Sequence, residues 1–88
     1  LPKKITKMTT KTQTKKMVTY LKSNYELDFD KLPLHRLKDE VVKASNNQEK
    51  AYKLDIAFDI KDLLEDRHAN IEDRDFRIDA LLEQFFKA

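Results

Sequence analysis

Gln48-Glu49-Lys50-Ala51-Tyr52-Lys53-Leu54-Asp55-Ile56-Ala57-Phe58-Asp59-Ile60-Lys61-Asp62-Leu63-Leu64-Glu65-Asp66-Arg67 is the stretch on which the fold turns. Tyr52, Leu54, Ile56, Phe58 and Ile60 alternate with polar or small residues, the period of a half-buried strand. Wound as a helix, the same stretch places Tyr52, Ile56, Ile60, Leu63 and Leu64 in one stripe. The acids decide between the two. Asp55, Asp59, Asp62 and Asp66 recur at the spacing of one narrow helical face. A strand ending near Ile60 would leave Leu63, Leu64 and the later acids without a role, so a helix is expected. Leu54 and Phe58 then point away from the main stripe. Such a helix should be covered on two sides and lie centrally.

Toward the C-terminus, Leu64-Glu65-Asp66-Arg67 is echoed by Ile71-Glu72-Asp73-Arg74, and Leu64, Ile71, Ile78 and Phe85 form a strict seven-residue series. The companion positions Arg67, Arg74 and Leu81 make that seam half polar, which suits the edge of a bundle better than an isolated coiled coil. Arg67 and His68 fit a helix C-terminus. Asn70 as a cap, with Glu72 and Asp73 in the following turn, fits a new N-terminus. A break near Ala69–Asn70 is therefore favoured over one continuous helix across residues 48–87. In the last helix Ile71, Ile78, Leu81, Leu82, Phe85 and Phe86 form the buried side, with Phe76 and Ala80 on a second one.

Toward the N-terminus, Ser45-Asn46-Asn47 is the best breaker in the chain, and Asn47 can cap the helix after it. Pro33 suits the first turn of a helix carrying Leu34, Leu37, Val41 and Ala44 on one face. Leu27, Phe29 and Leu32 are too apolar for a free connection and should pack down onto the core. Before them, Met17, Tyr20, Leu21 and Asn24 follow helical spacing from Gln13 or Thr14, with Thr14 as the cap. Residues 1–12 read as a basic Lys/Thr-rich arm, and 13–88 as a single helical domain. The expectation is an all-α small bundle of about four helices, or three if the C-terminal helix is continuous.

Eighty-eight residues make one domain. Leu, Ile, Val and Phe supply 24 of them, above the roughly 20% below which chains tend to stay disordered. Glycine is absent, which excludes phosphate-cradling loops, dinucleotide fingerprints and nucleophile elbows, all of which need backbone that glycine supplies. Cysteine is absent as well, so disulfides, thiolate zinc sites and thiol catalysis are out. No apolar run approaches a membrane span and no signal-like segment opens the chain, so a soluble cytoplasmic or otherwise intracellular setting is the default. The start at Leu1-Pro2 fits a domain cut from a longer protein.

The net charge of +2 conceals an asymmetry. Lys3, Lys4, Lys7, Lys11, Lys15, Lys16 and Lys22 stand in residues 1–25 with no acid, and the rest of the chain holds 11 bases against 16 acids. A basic arm or face thus joins an acidic body. Lysine attracts phosphate without reading bases, and the arm lacks the arginine that favours bidentate contact to guanine. His35 and His68 have no paired ligand spacing. Asp28 and Asp30 resemble the start of a calcium loop, yet no glycine follows and Leu32-Pro33 occupies the turn. Ser23 and Ser45 have no histidine close by in sequence. No catalytic residue, metal site, cofactor or small-molecule substrate is expected.

One local likeness stands apart. Leu27-Asp28-Phe29-Asp30-Lys31-Leu32-Pro33, with Leu37 and Val41-Val42, is similar to the start of the extra-terminal domain of bromodomain proteins, a family that binds Lys-rich peptides on an acidic strand. The likeness spans under a quarter of the chain, carries no diagnostic motif and sets no expectation.

The functional expectation is a non-catalytic helical protein–protein interaction module, self-associating, with no membrane contact. Asp55, Asp59, Asp62 and Asp66 would dock a basic partner. Leu54, Phe58, Phe76, Phe85 and Phe86, left uncovered if only two short helices face the C-terminal segments, would form an interface with another copy. The alternative is a nucleic-acid-binding accessory or regulator that grips phosphates through the seven lysines of residues 3–22.

Overall fold

The computed structural model describes residues 10–66, 68 and 70–87. Four helices follow in order: α1 over Thr10–Tyr25, α2 over Leu34–Lys43, α3 over Gln48–Glu65 and α4 over Ile71–Lys87, with a 3-10 turn at Ala44–Asn46 after α2. There is no strand among the described residues. The Tyr52–Ile60 run is helical. Its alternation arises because α3 is buried across a broad arc, through Ile56, Ile60, Lys53, Ala57, Lys61 and Leu54, so apolar residues are needed on more than one side.

The helix boundaries follow the local chemistry. Asn47 accepts the Lys50 N–H at 3.1 Å and caps α3. Asn70 accepts from Glu72 and Asp73 N–H at 2.9 and 3.3 Å. The C-terminal region is accordingly two helices, not one. Pro33 stands just before α2 instead of inside it, extended at ψ 158, and its carbonyl accepts from Arg36 and Leu37 N–H.

Thr14 departs from expectation. It lies within α1, its hydroxyl donating to the Thr10 carbonyl at 2.8 Å, because the chain is already helical at Thr10. The Thr10 hydroxyl donates instead to the Asp79 carboxylate of α4 at 2.7 Å.

α1 ends where Glu26 takes a left-handed conformation, φ 58, and the Leu27 N–H returns to the Leu21 carbonyl at 3.2 Å. The next turn, closed by Lys31 and Leu32 N–H on the Asp28 carbonyl, drives Phe29 into the core while Leu27 and Leu32 pack against it. The connection thus lays its apolar residues on the body, as their pattern required.

Short links make α2, α3 and α4 successive neighbours, and α1 packs across α4. The core they enclose includes Met17, Leu21, Leu37, Leu54, Ile60, Ile78, Leu82 and Phe85. Phe58 is only half-buried. It sits past the edge of α3's buried arc, toward α2, with the Lys38 ammonium 6.0 Å from its ring. No described helix is long and apolar enough to cross a membrane.

Candidate interaction surfaces

Three faces of the bundle carry the residues singled out in the sequence. The first is the outside of α3. Asp55, Asp59, Asp62 and Asp66 are all exposed, diametrically away from the buried arc, as their helical spacing demands. None forms an ion pair with a described residue. Asp66, past the helix end, accepts the His68 N–H at 2.9 Å. The Asp59 carboxyl is held above the usual carboxylate range, first by the atoms crowding it despite its exposed position, then by the neighbouring charges of Asp55 and Asp62. The stripe is therefore a coupled anionic face.

The second face is basic. Lys11, Lys15, Lys16 and Lys22 are exposed on α1, opposite buried Met17 and Leu21. Helical spacing puts Lys11, Lys15 and Lys22 together on one flank and Lys16 on the other. Lys3, Lys4 and Lys7 lie outside the described residues.

The third is the outside of α4. Ile78, Leu82 and Phe85 are its buried side, so Phe76, Ala80, Glu83 and Lys87 face outward together and are exposed. Phe76 is 76% exposed and Phe86 44%. Both border a groove of about 630 Å³ that runs between α4 and α1, with Gln13 and Lys16 on its far wall. Of the five residues expected at an interface, these two are exposed.

Leu54 and Phe85 must be withdrawn from that interface, since both are fully buried within the chain. Leu54 is lost because α2 and the 27–32 connection cover α3 on the side it shares with Phe58 and Lys61. Phe85 is lost because Tyr20 of α1 meets its ring edge-on at 5.4 Å. Phe58 keeps a partly open edge.

Two residues escaped the sequence reading altogether. Lys53 and Lys61 are only 3% and 8% exposed. The Lys53 ammonium donates to the Phe85 carbonyl at 2.7 Å and lies 4.7 Å from the ring centres of both Tyr20 and Phe85. That carbonyl belongs to the last turn of α4, where the helix offers it no N–H donor of its own, and a cation there also suits the helix dipole. Lys61 donates to the Phe29 carbonyl at 2.7 Å with its ammonium 4.6 Å from the Phe29 ring. One lysine fastens α4 to α3, and the other fastens the α1–α2 connection. The available signal was their place among Leu54, Ala57 and Ile60, on an arc that otherwise admits only apolar side chains.

His35 and His68 are exposed on separate elements, and no group of three or more metal-ligating side chains forms among the described residues. Comparison with known proteins finds no family model, no curated protein and no solved structure that matches this chain.

Proposed function

We propose that this chain is a non-catalytic helical interaction module, acting in an intracellular setting, that meets a protein partner through the outer face of α4. The exposed Phe76–Phe86 pair carries the reading. Burying a phenylalanine side chain contributes roughly 1.5–3 kcal/mol; Phe76 keeps most of that for association, while Phe86, edge-on to the Phe85 ring at 5.1 Å, keeps a part. Exposed aromatics beside a groove are the usual anchors of interfaces. The acidic face of α3 and the basic face of α1 would orient the encounter more than add affinity. The test compares cross-linked partners of the wild-type chain with those of Phe76→Ser, after circular dichroism shows that the variant keeps its helices. Partners lost in the variant support the module. An identical partner set in both sinks it.

A second reading has its own observation. Lys11, Lys15 and Lys22 are exposed on one flank of α1. That flank suits phosphates. Binding to generic duplex and single-stranded DNA should then fall steeply between low and moderate salt, as released counterions dictate. No binding at low salt would end this alternative.

A further inference from the structure

We propose that the partner at α4 is a second copy of this chain, paired α4 to α4 in antiparallel sense about a two-fold axis passing through Ala80. The proposal rests on the reading of α4's outer face as an interface and adds the identity and geometry of what covers it.

The outward positions of α4 are Asp73, Phe76, Ala80, Glu83 and Lys87, all of them exposed. Their spacing alternates three and four residues, the seam along which two helices pack. This seam lies on the face opposite the one that closes the chain's own core through Ile78, Leu82 and Phe85.

Charge selects the sense of pairing. Two parallel α4 helices in register would set Asp73 against Asp73, Glu83 against Glu83 and Lys87 against Lys87, like against like at every charged position of the seam. Antiparallel helices centred on Ala80 oppose residues equally far from it. Asp73 then meets Lys87 of the second copy, a pair that occurs twice by symmetry. Asp73 and Lys87 so find their opposites, and Glu83 is no longer set against Glu83. Ala80 at the axis, with only a methyl group, lets the helices approach closely. Phe76 falls opposite Gln84 of the second copy, beside the groove that Phe86 borders.

Nothing in the chain's own contacts obstructs this. Lys87 lies 3.4 Å from Glu83, but both side chains are more than 70% exposed, and exposed pairs of this kind contribute little. Exchanging that partner for one across the interface is therefore easy. A head-to-tail contact between the basic α1 and the acidic α3 of another copy would instead build a ring or an open chain, according to whether its rotation closes. One helical face is a small interface, so association should be weak and concentration-dependent.

Sedimentation equilibrium from about 5 to about 500 µM, spanning the weak affinities of small interfaces, provides the test. The wild-type mass should rise from 10.5 kDa toward twice that value and stop there. Phe76→Ser should weaken association about tenfold or more, the loss expected for one buried aromatic ring. Asp73→Lys and Lys87→Asp should each weaken it as well, and the double variant should restore it, because the swap re-creates opposite pairs. Asp59→Asn with Asp62→Asn should leave it unchanged. Association lost in that last variant but not in Asp73→Lys would overturn the α4 pairing in favour of the head-to-tail contact. A wild-type monomer at every concentration also overturns the proposal. If such a monomer still cross-links another protein in a Phe76-dependent way, only the identity of the partner is wrong. If it does not, the interaction reading of α4 fails with it.

Discussion

α3 buries two lysines, whereas α4 leaves two phenylalanines in water. Composition alone would assign them the other way round. The difference shows how the two helices are used. α3 has neighbours on most of its circumference, and where apolar side chains would leave a carbonyl unpaired, a lysine reaches it across an aromatic ring. A buried ammonium is tolerated because its hydrogen bond and the ring faces replace water. α4 has neighbours on one side only. Phe76 has no structural task there, which makes it the strongest sign of a task outside the fold.

The contrast can be broken most directly by truncating one residue from each helix. Leu54→Ala should destabilise by about 2–5 kcal/mol, the range for a fully buried leucine. Phe76→Ala should stay within about 0.5 kcal/mol, as for a surface site. Urea denaturation at a protein concentration too low for association measures both. Comparable losses in the two variants would mean that Phe76 supports the fold after all.

Next in size are the buried lysines. Lys53→Met keeps the aliphatic stem and removes the ammonium, leaving the Phe85 carbonyl unpaired. The expected loss is about 1–3 kcal/mol, the cost of an unsatisfied buried polar group. Amide exchange should quicken most in the last turn of α4. Lys61→Met should cost a similar amount but quicken exchange around residues 27–33 instead. If both variants loosen the same region, the two lysines do not fasten separate elements.

What the sequence could show was local and periodic. Asn47 and Asn70 announce helix starts through their side-chain oxygens, so the break within residues 48–87 was legible from cap chemistry alone. The acidic stripe was legible because four aspartates hold helical phase. The tie between α1 and α4 was not, since the Thr10 hydroxyl donates to a carboxylate 69 residues away in sequence, and no local pattern encodes that. Leu54 and Phe85 were assigned to a surface because apolar area was weighed against two short helices, without the cover given by Phe29, Lys61 and Tyr20. Phe76 and Phe86 are the candidates left exposed, at 76% and 44%. Which of the five candidates were free to face a partner depended on tertiary packing.

A smaller effect comes from the connection that Lys61 holds. Glu26 occupies the left-handed region, which costs a residue with a Cβ roughly 1–2 kcal/mol and glycine almost nothing. The fold accepts this because Phe29 beyond it is anchored on α3. Glu26→Gly should therefore stabilise by up to about 1 kcal/mol, the relieved strain being partly offset by the extra freedom of glycine in the unfolded chain. Thermal denaturation with an unchanged helical spectrum would show it, and a lowered midpoint would contradict the account.

The smallest effect concerns the outer faces of the two helices. On α4 acids and bases are mixed, whereas on α3 the charges of Asp55, Asp59 and Asp62 are alike. Asp59 responds with a raised pKa, from crowding first and from its two neighbours second. Its folded-state pKa thus lies above its unfolded value, so the native chain holds that proton more tightly than the unfolded chain does. Ionised Asp59 consequently opposes folding at neutral pH. The opposition disappears as pH falls through the folded-state pKa, and it is gone below the unfolded one. Asp59→Asn should raise the melting temperature slightly at pH 7, within the range of surface substitutions. That advantage should shrink as pH is lowered through the carboxylate range. Added salt should reduce the part that comes from Asp55 and Asp62, because exposed charges are screened, while the part caused by crowding persists. A variant less stable than wild type at neutral pH and low salt would show that this carboxylate is not under repulsion. The outer face of α3 would then differ from that of α4 in appearance only.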